Sequence, residues 1–275
     1  MAQPLADRRP LGPVLQRTLT AFLIGLPVLG AVYFGRPWFE IMVAIGAAVC
    51  AWEWANICYA GRSGWRGLVL PAALVPCFIA GVFGRFDLAF AALGLAVAAV
   101  FVTSAQMRAP SPSWLAVGAL YGGLALIAFL IVRGSDLAGR DRMLWVGLVV
   151  AATDIAAFFV GRTVGGPKLA PTVSPKKTWS GLLGGMLAAA LVSVAFGLSV
   201  FDISIWILII SGAILALIAQ AGDLFESYVK RRFGVKDASG LLPGHGGLLD
   251  RIDGLIAALL LVACLKSAFK VSILP

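Results

Sequence analysis

Apolar stretches of about 20 residues recur along the whole chain, and Pro, Gly and charged residues collect in the short segments between them. A helix of roughly 20 apolar residues crosses a hydrocarbon core of about 30 Å. By that criterion the pattern predicts about nine transmembrane helices, over 18–35, 38–59, 67–84, 87–106, 114–133, 143–163, 179–200, 203–222 and 252–272. The third carries Pro71 and Pro76, which predicts a kink or an incomplete span. Alternation of period two is absent, so helices rather than a membrane barrel must satisfy the backbone. The predicted fold class is all-α, a polytopic helical membrane protein.

Composition sharpens this picture. With 60% hydrophobic and 13% charged residues and a mean hydropathy of +0.96, the chain is too apolar for a soluble globule. The net charge of +9 invites a nucleic-acid reading. The cations sit in short segments between apolar runs instead of along one face or tail, which argues for membrane orientation and no nucleic acid. With the N-terminus in the cytoplasm, most of the 22 Lys and Arg fall on the cytoplasmic side. Arg8, Arg9 and Arg17 precede the first run without a convincing cleavage site after it, so it reads as an uncleaved first helix. The four cysteines form no CxxC and lie in or near apolar runs, as small buried hydrophobes do. Gly118-x3-Gly122 and Gly181-x3-Gly185 permit close helix approach, either within the bundle or in a homodimer. The short tails point to a bacterial inner membrane.

On this topology the two most polar connections, 161–178 and 223–251, share the cytoplasmic side, and a site built from both would meet cytosolic solutes. The chain then divides into N-terminal helices, 1–140, and a catalytic region, 141–275.

Several carboxylates interrupt or end apolar runs. Asp154 lies inside one, Asp223 and Glu226 end the eighth, and Asp250 and Asp253 open the ninth. An acid near the bilayer centre costs about 2.5–3.5 kcal/mol on insertion scales, so it normally faces a cavity or a partner. Each i, i+3 pair shares a helical face. Converging acids suit a hard divalent cation, and magnesium takes one or two carboxylates plus water and phosphate oxygens. Blander roles exist: Asp250 or Asp253 as a cap, and Glu226 as the i, i+4 partner of Lys230. Capping does not account for Asp223, at a helix C-terminal end where negative charge is unfavourable. Glu53, between Trp52 and Trp54, reads as an interfacial acid reaching for water.

The loops are basic. Residues 165–181 supply Lys168, Lys176, Lys177, Ser174 and Thr178, an inventory that suits oxyanions but also an ordinary cytoplasmic loop with a helix cap. The second loop holds Lys230, Arg231, Arg232 and Lys236 ahead of Pro243-Gly244-His245-Gly246-Gly247, whose glycines allow close backbone approach to a ligand. Nonspecific lipid headgroup binding would explain the cations and leave the glycines and acids without a role. A lone His245 with no His or Ser partner does not make a hydrolase triad.

Together these residues are recognisable. Ser227-x2-Lys230-Arg231-x4-Lys236-Asp237, continuing through Leu242-Pro243-x-His245-Gly246-Gly247-x2-Asp250-Arg251-Ile252-Asp253, resembles the signature of the phosphatidate cytidylyltransferases, the CDP-diacylglycerol synthases. Ser174-Pro175-Lys176-Lys177-Thr178 and Asp154-x2-Ala157-Phe158-x2-Gly161-Arg162 resemble that family too. One departure is Ser180, close to where the family commonly has Glu. The resemblance implies an integral membrane enzyme that converts phosphatidate and CTP to CDP-diacylglycerol and pyrophosphate, with magnesium and a second, monovalent cation such as K+. It implies metal ligation by Asp223 and Asp250, with Asp253 and Asp154 as further candidates. Lys230, Arg231 and His245 would join Asp223 and Asp250 in catalysis. Ser174, Lys176, Lys177, Thr178, Lys236, Asp237, Gly246, Gly247 and Arg251 would bind substrate.

Two rivals fit less well. A CDP-alcohol phosphotransferase pattern continues from Asp-Gly to an Arg, whereas Leu-Ile-Ala-Ala follows Asp253-Gly254 here. A secondary transporter predicts repeated halves and broken helices at mid-membrane, whereas the acids here crowd into the C-terminal half at one face.

Overall fold

The computed structural model describes residues 13–201, 203–242 and 246–269. Among them the apolar runs become nine α-helices: α1 (Pro13–Phe34), α2 (Trp38–Cys58), α3 (Val69–Val82), α4 (Phe86–Gln106), α5 (Pro112–Arg133), α6 (Leu137–Thr163), α7 (Trp179–Val200), α8 (Ile205–Arg232) and α9 (Leu249–Phe269). Seven described segments are long and apolar enough to cross a membrane: α2, α4 to α8, and α3 taken with the 3-10 turn Gly64–Leu68 before it. The chain is thus a multi-pass helical membrane protein. Large side chains such as Leu23, Phe83, Leu95 and Trp206 are more than two-thirds exposed, as a lipid-facing surface requires.

Several boundaries differ from expectation. Helix α1 begins at Pro13 and α6 at Leu137, ahead of the expected 18 and 143, and α8 and the 161–178 connection differ further, while the third run is short as its prolines imply. The third run is a 14-residue helix with Pro76 inside it, entered through that 3-10 turn. Helix α8 continues past residue 222 to Arg232, so Lys230, Arg231 and Arg232 form its last turn, where cations complement the helix dipole. The 161–178 connection is not plain loop: β1 (Lys168–Ala170) and β2 (Ser174–Thr178) pair antiparallel.

Helices α6 to α9 pack each on the next, and α3, α4 and α5 do the same, with α2 against α5. Contacts of α9 with α5 and α2 join the two groups. Small residues let the backbones approach. A Cβ on Gly181 would lie 2.8 Å from the Ala157 carbonyl oxygen, and one on Gly185 3.0 Å from that of Thr153. Gly118 faces Trp54, whose ring would stand 2.1 Å from an added Cβ. Both glycine spacings are therefore used inside the bundle, which leaves the homodimer expectation without that support. Trp145 donates to Ser193 Oγ (3.0 Å), whose hydroxyl donates to the Leu208 carbonyl (2.7 Å), tying α6, α7 and α8. Cys50, Cys58 and Cys77 are free and buried, while Cys264 is free and exposed.

Gly118→Leu is expected to destabilise the bundle by about 1–3 kcal/mol, the usual cost of overpacking. A lower melting temperature in detergent would register it.

Candidate active site

The C-terminal end of α8 meets the start of α9 because glycines remove the side chains between them. A Cβ on Gly222 would lie 2.6 Å from that of Ala257 and 2.8 Å from the Asp253 carbonyl, and one on Gly254 3.1 Å from the Ala219 carbonyl. Each glycine adjoins an acid, Asp223 on α8 and Asp253 on α9, so close packing gathers carboxylates.

Asp250 is a junction. Its Oδ1 accepts from Lys230 Nζ at 2.5 Å, and its Oδ2 accepts from the amides of Ala238 (2.9 Å) and Gly247 (2.8 Å). Lys230 also pairs with Glu226 one turn earlier, and Glu226 is fully buried. One cation between two buried acids is the arrangement that makes such charges tolerable. Gly246 has φ +85°, and a Cβ there would lie 2.9 Å from Asp250 Oδ2, so both backbone and space demand glycine. Leu242 and Gly246 exchange backbone hydrogen bonds of 2.8 and 3.1 Å.

The second cluster joins the hairpin to α8. Lys177, on β2, places Nζ 2.6 Å from Asp223 Oδ2, and Ser227 donates to Asp223 Oδ1 at 3.3 Å. The Lys177 ammonium is buried yet makes no well-angled hydrogen bond among the described residues. Asp154 lies within electrostatic reach of Asp223, Lys177 and Arg251, and Asp253 within reach of Asp223, Lys177 and Lys230. Four of the expected acids and three of the expected cations thus form one continuous polar patch.

Other expected residues stand differently. Thr178 is buried and its Oγ1 caps α7, accepting from Gly181 N at 3.1 Å. Ser180 hydrogen-bonds Thr178 Oγ1 (3.0 Å) and the Gly165 carbonyl, so the residue that departs from the family pattern closes the base of the hairpin. The amides of Gly246 and Gly247 are engaged by Leu242 and Asp250, so these glycines work through the approach they allow. Lys176, Arg231, Lys236, Asp237 and Arg251 are exposed, and Ser174 is half-buried. His245 lies outside the described residues.

Glu53 corrects an expectation. It does not reach for water; it is fully buried and accepts from Ser239 Oγ (2.5 Å), Leu248 N (2.9 Å) and Leu249 N (2.7 Å). The signal was available in the insertion cost of an acid inside an apolar run.

Among the described residues no three His, Cys, Asp or Glu side chains form a ready metal cage. The paired acids near Lys177 suit instead a cation that brings phosphate oxygens with it, which is how magnesium usually binds.

The described residues are thus those of a helical membrane protein whose carboxylates and cations gather where α8, α9 and the hairpin meet. The family model described as "Cytidylyltransferase family" matches residues 15–269, and the chain belongs to that family. It is 37% identical over 258 residues to a phosphatidate cytidylyltransferase of Brucella suis biovar 1, covering 92% of this chain and 93% of the relative. A phosphatidate cytidylyltransferase of Rickettsia bellii is 37% identical over 191 residues, 66% of this chain and 82% of its own. One of Staphylococcus haemolyticus is 42% identical over 140 residues, 50% and 53% of the two chains.

Proposed function

We propose that the chain is a phosphatidate cytidylyltransferase, transferring CMP from CTP to phosphatidate and releasing pyrophosphate. The observation that carries the site assignment is the Lys177–Asp223 ion pair, 2.6 Å apart with Asp154 and Asp253 nearby, since an ammonium has three donors and one acid leaves others for an anionic ligand. A phosphate oxygen of phosphatidate attacks the α-phosphorus of CTP. The new P–O bond forms as the bond to the β-phosphate oxygen breaks, and pyrophosphate leaves with that electron pair. The nucleophile is already an oxyanion near pH 7, since a phosphate monoester's second pKa is about 6, so no strong base is required.

The task is to bring two anions together and stabilise the departing charge. Lys177 and the exposed Lys176, Lys236 and Arg251 neutralise phosphates, and the Lys230–Asp250 pair fixes the glycine turn beside them. Asp223, with Asp253 and Asp154 at hand, would hold magnesium. Asp250 keeps unused lone pairs but already receives three donors, which makes it the weaker ligand of the pair assigned from sequence. When bound, the ion would neutralise the triphosphate and the leaving group. A monovalent companion ion remains part of the proposal through the family resemblance alone.

An apolar cavity of about 810 Å³ supports the lipid half of the reading. Trp54, Gly118, Leu248 and Ile252 line it, so it adjoins Glu53 and Asp253 in the chain and offers the acyl chains a seat. Gly46 also lines it, with nothing within 4 Å of an added Cβ. Gly46→Leu is expected to raise KM for phosphatidate and leave KM for CTP unchanged in steady-state assays. In this reading the site faces the cytoplasm of a bacterium, with the N-terminus on the same side, residues 141–275 form the catalytic region, and phosphatidate enters from that leaflet.

The reading is tested by measuring pyrophosphate and CDP-diacylglycerol from the purified protein. Equal yields that need phosphatidate, CTP and magnesium, and stop with EDTA, are expected. Pyrophosphate release without phosphatidate would contradict it.

A further inference from the structure

We infer that Glu53 is a positioning residue for the active-site turn, acting on Asp250 from the opposite half of the chain. The inference rests on the cytidylyltransferase reading for its turnover test and on geometry for the rest. The first amides of a helix have no partner within it and form the positive end of its dipole. At the entry to α9 the first helical amide, Leu249 N, and the two amides before it are shared between two carboxylates. Glu53 takes Leu248 N and Leu249 N at 2.9 and 2.7 Å, and Asp250 takes Gly247 N at 2.8 Å. Three consecutive amides are thus held by acids from two different helices, α2 and α9.

The same two acids grip the segment before the turn. Glu53 accepts from Ser239 Oγ at 2.5 Å, and Asp250 from Ala238 N at 2.9 Å. Residues 238–239 and 247–249 are therefore held by the same two acids, and a shift away from Glu53 would draw Gly247 and Ala238 from Asp250. Gly247 is fitted to this clamp: a Cβ there would lie 2.6 Å from Glu53 Oε1 and 3.0 Å from the Ala238 Cβ. A carboxylate with no exposed surface, in a helix of the N-terminal half, would be a costly way to cap a helix that could carry its own cap. Its return is that Lys230, Asp250 and the acids after them are held in one geometry, the role of a partner behind the residues that touch substrate.

The experiment compares Glu53→Gln with Ile57→Ala, a buried change on the same helix that loses stability without touching the turn. Turnover is measured where both variants are folded, together with amide hydrogen exchange of residues 238–249. Glutamine can accept at only one of its two terminal atoms, so faster exchange of this segment is expected in Glu53→Gln alone. Its kcat is expected to fall about 10–100-fold with KM for phosphatidate unchanged, while Ile57→Ala keeps the parent's kcat. Ser239→Ala, which removes one of the three donors, moves both readouts the same way by less and serves if Glu53→Gln does not fold. Parent-like exchange and kcat in the Glu53 and Ser239 variants overturn the inference, as does an equal loss in Ile57→Ala. A parent that makes no CDP-diacylglycerol overturns the enzyme reading, and the exchange comparison then decides the role of Glu53 by itself.

Discussion

Asp223→Asn is expected to yield a folded protein whose magnesium-dependent synthesis of CDP-diacylglycerol is lower by about 10²–10³-fold, the scale of losing one electrostatic contact to a developing charge. The carboxylate lies near the site's surface, with a third of its side chain exposed, so the isosteric amide adds no buried charge of its own, and the cost to the fold is the buried Lys177 ammonium left without its acid. What disappears is the negative partner of Lys177 and the proposed ligand of the metal. Lys177→Met is expected to raise KM for CTP, which lowers the rate at sub-saturating CTP. Chromatography of labelled product, beside melting curves of each variant, separates lost chemistry from lost fold.

Lys230→Met has the opposite balance: its first effect is on stability. The side chain is buried between Glu226, with no exposed surface, and Asp250. Without it two buried carboxylates face each other uncompensated, and breaking such a cluster costs about 3–5 kcal/mol. Adding Glu226→Gln removes one stranded charge and is expected to recover part of that loss. Thermal unfolding of the two variants in detergent measures both values. No recovery in the double variant would mean that the triad does not share its charge as the geometry indicates.

The membrane architecture was legible because lipid leaves the backbone few choices. Each apolar run of helical length became a helix, from 38–59 as Trp38–Cys58 to 179–200 as Trp179–Val200. The errors fell where that constraint ends. Helix α8 runs on past residue 222 into water-soluble residues because its last turn is held by the Lys230 pairs, which hydropathy does not register. The hairpin at 168–178 is too short to leave a periodic signal. Within the site, the contiguous run from Ser227 to Asp253 announced most of the cluster, since residues close in sequence are brought together by one helix junction. Thr178 was legible only as two alternatives, and geometry selects the cap. Glu53 was misread because its partners are nearly 200 residues away and its flanking tryptophans imitate an interfacial belt. Trp54 in fact donates to the Trp114 carbonyl at 2.8 Å and is buried.

The central claim is that Lys177 on the hairpin and Asp223 on α8 form the seat of the nucleotide phosphates. Titration of magnesium and CTP into the purified protein, with and without Lys177→Met, tests it without relying on turnover. Binding to the parent that weakens by roughly tenfold or more in the variant is predicted, since a charge-assisted contact contributes about 1.5–3 kcal/mol. Equal affinity in the two proteins, both folded, would contradict it and move the triphosphate away from this ion pair.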